Sequence, residues 1–163
     1  MKLSKKVING ILDIGFYFDE EFDYDKKEVI LTPESRQWFK NNLGLKKLDS
    51  AFIEFYSFAV GGRGYKGEEL FTLDQILENY LSQNWLNLFP QRVALKEKYP
   101  NAGERYLQFT SIEGEGSYFY DKETDYVYDV DWGQEENMIT GKLKPWFTSF
   151  YDFLEWYYSE EDE

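Results

Sequence analysis

The carboxylates of this chain are concentrated where its aromatic side chains are also dense, and that coincidence limits what the segment can fold into. Residues 113–163 hold 15 Asp and Glu against 3 Lys and carry -12 of the formal net charge of -13; the other 112 residues are nearly balanced, with 16 acids and 15 bases. The same third contains 14 Phe, Tyr and Trp residues, from Tyr118-Phe119-Tyr120 through Tyr126, Tyr128 and Trp132 to Trp146-Phe147 and the run Phe150 to Tyr158. A disordered acidic tail has few aromatics and little hydrophobicity. This segment therefore reads as folded, with most of its rings in a core and its acids on a surface. A one-signed surface acts over roughly 8 to 10 Å in physiological salt, drawing in cationic macromolecules and repelling phosphate backbones.

At 163 residues the chain fits one compact domain, residues 1–163. It has no Cys and no His, so disulfides, thiolate ligands and imidazole acid–base chemistry are excluded. The Lys-rich start before Val7 to Phe18 resembles a signal peptide only superficially. Asn9 and Asp13 interrupt the apolar run, and no small-x-small site follows. No stretch reaches the roughly 18 consecutive apolar residues of a membrane span. The expectation is a cytoplasmic protein with no membrane association.

Along the chain, Val7 to Phe18 fits either an edge strand or a short helix, and Asp19 to Asp25 reads as a solvated loop; residues 1–31 stay an unplaced N-terminal extension. Thr32-Pro33-Glu34 supplies an N-cap, a Pro at the first helical position and an acid in the first turn, opening a helix that Gly44 stops. A second helix follows Asp49, with Leu48, Ala51, Phe52, Phe55, Phe58 and Ala59 at helical spacing, and runs to Gly61-Gly62. Thr72-Leu73-Asp74-Gln75 is a capping box before the stripe Leu73, Ile76, Leu77, Tyr80, Leu81. Trp85 to Tyr99 reads as irregular with some helix.

After Gly103 the periodicity changes to two. Tyr106 to Ser111, Ser117 to Asp121 and Asp125 to Trp132 are expected to form an antiparallel meander, with Tyr126, Tyr128, Val130 and Trp132 on one face and Val127, Asp129 and Asp131 on the other. Thr148-Ser149 caps a last helix that buries Phe150, Phe153, Leu154 and Tyr157, and 159–163 is an acidic tail. Helices first, then a sheet and a closing helix, make the class α+β, a central antiparallel sheet packed against helices.

This order, and several of its words, resembles the SUKH superfamily, which includes the fungal Smi and Knr cell-wall regulators and many bacterial immunity proteins. The likeness is carried by the helix entering Ala59-Val60-Gly61-Gly62, with Val60 where the family has Asn, and by Leu70-Phe71-Thr72-Leu73-Asp74-Gln75-Ile76. It continues through Leu107-Gln108-Phe109, Gly114-Glu115-Gly116-Ser117-Tyr118-Phe119-Tyr120-Asp121, Val127-Tyr128-Asp129-Val130-Asp131 and Thr148-Ser149-Phe150-Tyr151-Asp152-Phe153-Leu154. The resemblance spans about Thr32 to Tyr158. It implies a non-enzymatic binder that neutralises a cognate toxin, often a nuclease, or alternatively a regulatory adaptor.

Other chemistries fit less well. The glycines of Gly61 to Gly67, with Arg63 and Lys66, suggest an anion loop but lack the ending of a P-loop. Asp121, Glu123 and Asp125 have the first three positions of a calcium loop, but Tyr126 and Trp132 stand where Gly and Glu are required. Paired carboxylates among Glu113, Glu115, Asp129 and Asp131 beside Trp132 would suit a carbohydrate-binding protein or glycosidase, yet nothing in the sequence sets their separation. The expectation is no cofactor, no metal and no direct nucleic-acid binding. The favoured surface for a basic protein toxin comprises Glu113, Glu115, Tyr118, Asp121, Glu123, Asp125, Tyr126, Tyr128, Asp129, Asp131 and Trp132.

Overall fold

The computed structural model describes residues 2–87, 95–111 and 115–160. Its elements run α1 (Lys5–Ile14), β1 (Phe22–Asp23), β2 (Glu28–Val29), α2 (Pro33–Leu43), α3 (Ala51–Phe58), β3 (Gly62–Arg63), β4 (Glu69–Leu70), α4 (Leu73–Ser82), α5 (Leu95–Lys98) and α6 (Ala102–Arg105). Then follow β5 (Tyr106–Gln108), β6 (Gly116–Asp121), β7 (Val127–Asp131), α7 (Glu135–Ile139) and α8 (Phe150–Tyr157). The class is α+β, with small antiparallel sheets: two hairpins, β1-β2 and β3-β4, and the meander β5-β6-β7.

Helix starts follow local capping chemistry. Thr32, Ser50, Thr72 and Ser149 each accept a backbone N–H of the first turn through a side-chain oxygen, and Thr72 with Gln75 closes a reciprocal capping box. Of Val7 to Phe18, the part up to Ile14 is helix: Ser4 caps α1, which buries Val7, Ile8 and Ile11, and Gly15 ends it before Tyr17 turns extended. Gly10 lies on that face because a Cβ there would come within 2.8 Å of the Tyr158 ring, so the glycine lets α1 approach α8 closely.

Residues 2–31 are tied to the core. The Leu3 amide donates to the buried Glu54 carboxylate at 3.1 Å, and Phe22 stacks on Phe58 at 4.9 Å. Asp19 to Asp25 is therefore more than a solvated loop, because it contains a short 3₁₀ turn and β1. Helix α3 ends at Phe58 rather than running to Gly61-Gly62. There the chain is pulled extended: Tyr17 bridges Ala59, and the Val60 amide donates to the Phe16 carbonyl at 3.0 Å.

The meander has apolar clusters on both faces. Leu107, Phe109, Tyr120 and Val127 join the larger core with α3 and α8, whereas Tyr106, Phe119, Tyr128 and Val130 pack with Trp85, Leu86, Leu95 and Met138. The expected division of β7 holds, with Tyr128 and Val130 on one face and Val127, Asp129 and Asp131 on the other, where Val127 anchors the mostly acidic side to the main core. The regular part of the first strand ends at Gln108, although the Phe109 amide still donates to the Tyr118 carbonyl at 3.0 Å, and Thr110 bridges Leu70 of the β3-β4 hairpin. The last strand begins at Val127 rather than Asp125, whose φ of 68° belongs to a tight turn.

Candidate protein-binding surface

Strand register decides which carboxylates reach solvent together. Tyr118 pairs with Asp129 and Gly116 with Asp131, and alternate residues share a face, so Tyr118, Asp129 and Asp131 lie on one side of β6 and β7. Glycine at 116 is required by this close pairing, because a Cβ there would meet the Val130 carbonyl oxygen at 2.3 Å. The Trp132 amide donates to the Glu115 carbonyl at 2.8 Å and carries the pairing one residue further. Trp132 is 43% exposed, and of the large apolar side chains described after Gly103 it alone is exposed.

Asp129 and Asp131 are exposed at alternate positions of β7. The Asp129 carboxyl titrates above its ordinary value, first because its surroundings partly desolvate it and then because the charges of Asp131 and Glu68 oppose its own. Burial, helped by Asp129 and Glu68, likewise raises the Tyr118 hydroxyl. Glu68, from the turn between β3 and β4, therefore belongs to the same negative field. Sequence reasoning missed it because only the hairpin brings it near β7. The Tyr118 ring backs this field, 4.9 Å from Trp146 and 5.8 Å from Phe153. Holding these charges together opposes folding. The stability tied to Asp129 is present below its unfolded value and is lost as pH rises through the folded one.

Several expected surface residues face inward. Asp121 has a fully buried side chain, because β6 alternation sets it beside Phe119 and Ser117; its two oxygens accept from Arg105 Nε at 3.0 Å and Nη2 at 2.9 Å. Tyr128 is 6% exposed and packs between Tyr106 and Tyr126. Both are removed from the surface by sheet packing. Asp125 is half-buried and accepts from the Tyr120 hydroxyl at 2.6 Å and the Phe150 amide at 3.3 Å, which binds the turn to α8. Glu123 is exposed and lies 3.2 Å from Arg105 Nη1; Tyr126 is half-buried. Glu113 lies outside the described residues. The geometry thus puts Asp129 and Asp131 on one face with Tyr118 and within the field of Glu68, while Glu115 and Trp132 are neighbours at the end of the sheet where Asp131 pairs.

The alternative sites are also resolved by geometry. Asp121 and Glu123 turn to Arg105 while Asp125 turns to Tyr120 and Phe150, so the calcium-like spacing does not converge, and among the described residues no group of three acids is placed to hold a metal ion. In the glycine loop the Gly64 amide donates to the Tyr157 hydroxyl at 2.8 Å, and that hydroxyl donates to the Glu68 carbonyl at 2.6 Å. The loop is a structural clasp on α8.

One cation stands apart. Lys122 Nζ donates to the Leu43 carbonyl at 2.7 Å and lies 4.6 Å from the Tyr80 ring, and burial lowers its titration to about 8. The unfolded chain keeps this proton to an ordinary value of 10.5 whereas the folded chain releases it near 8, so stability should rise with pH inside that window. The Lys122 Cε resonance is expected to titrate near pH 8, and the rise in stability between pH 8 and 9.5 should flatten in Lys122→Met. An ordinary lysine titration would contradict the burial argument.

Among the described residues no helix is long and apolar enough to cross a membrane. No protein-family model, curated protein or solved structure matches the chain.

Proposed function

We propose that this chain is a non-catalytic, cytoplasmic immunity protein of the SUKH type that binds a basic, nuclease-type toxin and blocks its active cleft. The observation that carries this reading is the rim of the meander. There Asp129 and Asp131, in the third of the chain that holds nearly all the net charge, share a negative field with Glu68, and the exposed Trp132 stands next to Glu115 at the same end of the sheet. Carboxylates speed the encounter with a cationic partner, while a tryptophan that becomes buried on binding slows its escape. The order of helices, meander and Ser149-capped closing helix supports the family resemblance. The same field repels phosphate, so the toxin and not its nucleic-acid substrate is the partner.

The test is to look for a toxin-bearing gene next to this one and co-express the two, followed by kinetics of the purified pair. Reversing Asp129 and Asp131 to Lys should slow association and flatten its salt dependence. Trp132→Ala should instead speed dissociation and cost about 2 kcal/mol or more of affinity. If co-expression neither protects cells nor yields a complex, the immunity reading fails and the regulatory-adaptor reading replaces it. Saturable binding on a glycan array that Trp132→Ala abolishes would move the assignment to a carbohydrate-binding protein.

A further inference from the structure

A cleft of about 660 Å³ opens where the chain leaving α2 meets Tyr80 of α4, the helix α6 and the turn after β6, and it shares no residue with the acidic rim of the meander. Its volume is that of small-molecule sites, roughly 300 to 1,000 Å³. In a chain of net charge -13 this cleft gathers cations: the exposed Lys46 and Lys47, and the half-buried Arg105 and Lys122. Arg105 is already committed, since it pairs with Asp121 and Glu123. The three lysines form no ion pair among the described residues, and Glu104 is the one acid of the lining left to offset them. Lys122 gives one N–H to the Leu43 carbonyl at 2.7 Å and another to the Tyr80 hydroxyl at 3.4 Å, so the third donor of its ammonium group has no partner among the described residues. Gly44 keeps the approach clear, because a Cβ there would stand 3.1 Å from Lys122 Nζ.

Capping the C-terminus of α2 accounts for Lys122 alone. It does not account for Lys46 standing near enough to repel the Lys122 charge, an arrangement that opposes folding until an anion lies between them. The kind of cation narrows the anion. A planar carboxylate is best met by a guanidinium fork, and that of Arg105 is taken by Asp121. Three ammonium groups are point charges, and they suit the three oxygens of a phosphoryl group, each meeting a different one. The acidic rim is far enough away to permit this. Strand β6 runs from Gly116, opposite Asp131, to Asp121, so about 20 Å of chain separates that end from Lys122, well beyond a Debye length of roughly 8 Å. We propose that the cleft binds the phosphoryl group of a small phosphate monoester among Lys46, Lys47 and Lys122. A small ester escapes the repulsion that the rest of the surface exerts on a nucleic-acid backbone. This site is independent of toxin binding.

Glycerol 3-phosphate is a suitable probe, with succinate as a dicarboxylate and glycerol as the uncharged control, added at fixed ionic strength and followed by amide chemical shifts in the full chain. Glycerol 3-phosphate is expected to shift Gly44, Lys46, Lys47 and Lys122 saturably and to bind about ten-fold more tightly than succinate, with glycerol inert. The pair Lys46→Gln and Lys47→Gln alters exposed side chains, so the melting temperature should hold while affinity falls about ten-fold. Removing the same charge elsewhere, with Lys142→Gln and Lys144→Gln, should change affinity by less than about two-fold. Saturation should also move the Lys122 Cε titration upward from about 8, because a bound dianion favours the charged ammonium, while Tyr80, Glu104, Arg105, Glu123 and Lys46 line the cleft in both states. No saturable shift, equal binding of succinate, equal affinity in the two glutamine pairs, or a Lys122 titration that the probe leaves in place would overturn the proposal.

Discussion

Replacing Arg105 by alanine is expected to destabilise the protein by about 3 to 5 kcal/mol, because it leaves the Asp121 carboxylate inside the sheet without its cation. The pair is bidentate, at 3.0 and 2.9 Å, and the Asp121 side chain is fully buried. Among the described residues it also accepts from the Glu123 amide, at 3.0 Å on the oxygen that Arg105 Nε uses. The consequence is structural as well as electrostatic. Tyr106, next to Arg105, pairs with Asp121, and the Lys122 amide donates to the Arg105 carbonyl at 3.0 Å, so the ion pair clamps the register of β5 on β6 where the meander turns. Urea unfolding of Arg105→Ala, Asp121→Ala and the double variant separates the terms. The double variant should recover part of the Arg105→Ala loss, since it removes the stranded charge along with its partner. Glu123→Ala removes an exposed partner and should cost well under 1 kcal/mol. A loss below about 1 kcal/mol for Arg105→Ala would show that water reaches Asp121.

That pair also marks the boundary of what the sequence makes legible. Features that depend on a few adjacent residues could be read directly. Thr32-Pro33, the Thr72 to Gln75 box and Ser149 each announce a helix start through groups three residues apart, and strict alternation along β6 and β7 locates both strands. Alternation likewise puts Asp129 and Asp131 on the outward side. Asp121 was misread because a carboxylate next to a turn ordinarily faces water, and only Arg105, 16 residues back, makes its burial tolerable. Glu68 was missed for the same kind of reason: it joins Asp129 through the pairing of β3 with β4 and of Leu70 with Thr110. Helix α1 was ambiguous because Asn9 and Gly10 weaken its apolar stripe. What selects the helix is Gly10 fitting under Tyr158, a contact between opposite ends of the described chain. The cleft beside Lys122 left no trace in the sequence, since its lining comes from four separate segments.

Phe150→Ala should carry a loss of similar size, about 3 to 5 kcal/mol, by a different route, the cavity left in a core that cannot collapse around it. Phe150 is fully buried, and its ring lies 5.0 Å from Phe52, 5.5 Å from Phe109, 5.4 Å from Tyr120 and 5.4 Å from Phe153. Those partners belong to α3, the chain just after β5, β6 and α8, so no single element can move in to fill the space without breaking another contact. Phe150→Leu keeps more of the volume and should cost considerably less, with a midpoint in urea between those of the wild type and the alanine variant. Because the Phe150 amide also donates to Asp125, loosening the start of α8 should disturb the turn before β7. Amide exchange is expected to quicken first at Asp125 and Tyr126, while Asp131 and Trp132, at the far end of β7, keep their protection in the folded variant. The binding proposed for the acidic rim should then survive at temperatures where Phe150→Ala remains folded, whereas reversing Asp129 and Asp131 should impair it without loss of stability. If the proposed toxin complex forms with the wild type, a Phe150→Ala protein that is fully folded yet unable to form it would extend the proposed surface to the turn and the start of α8.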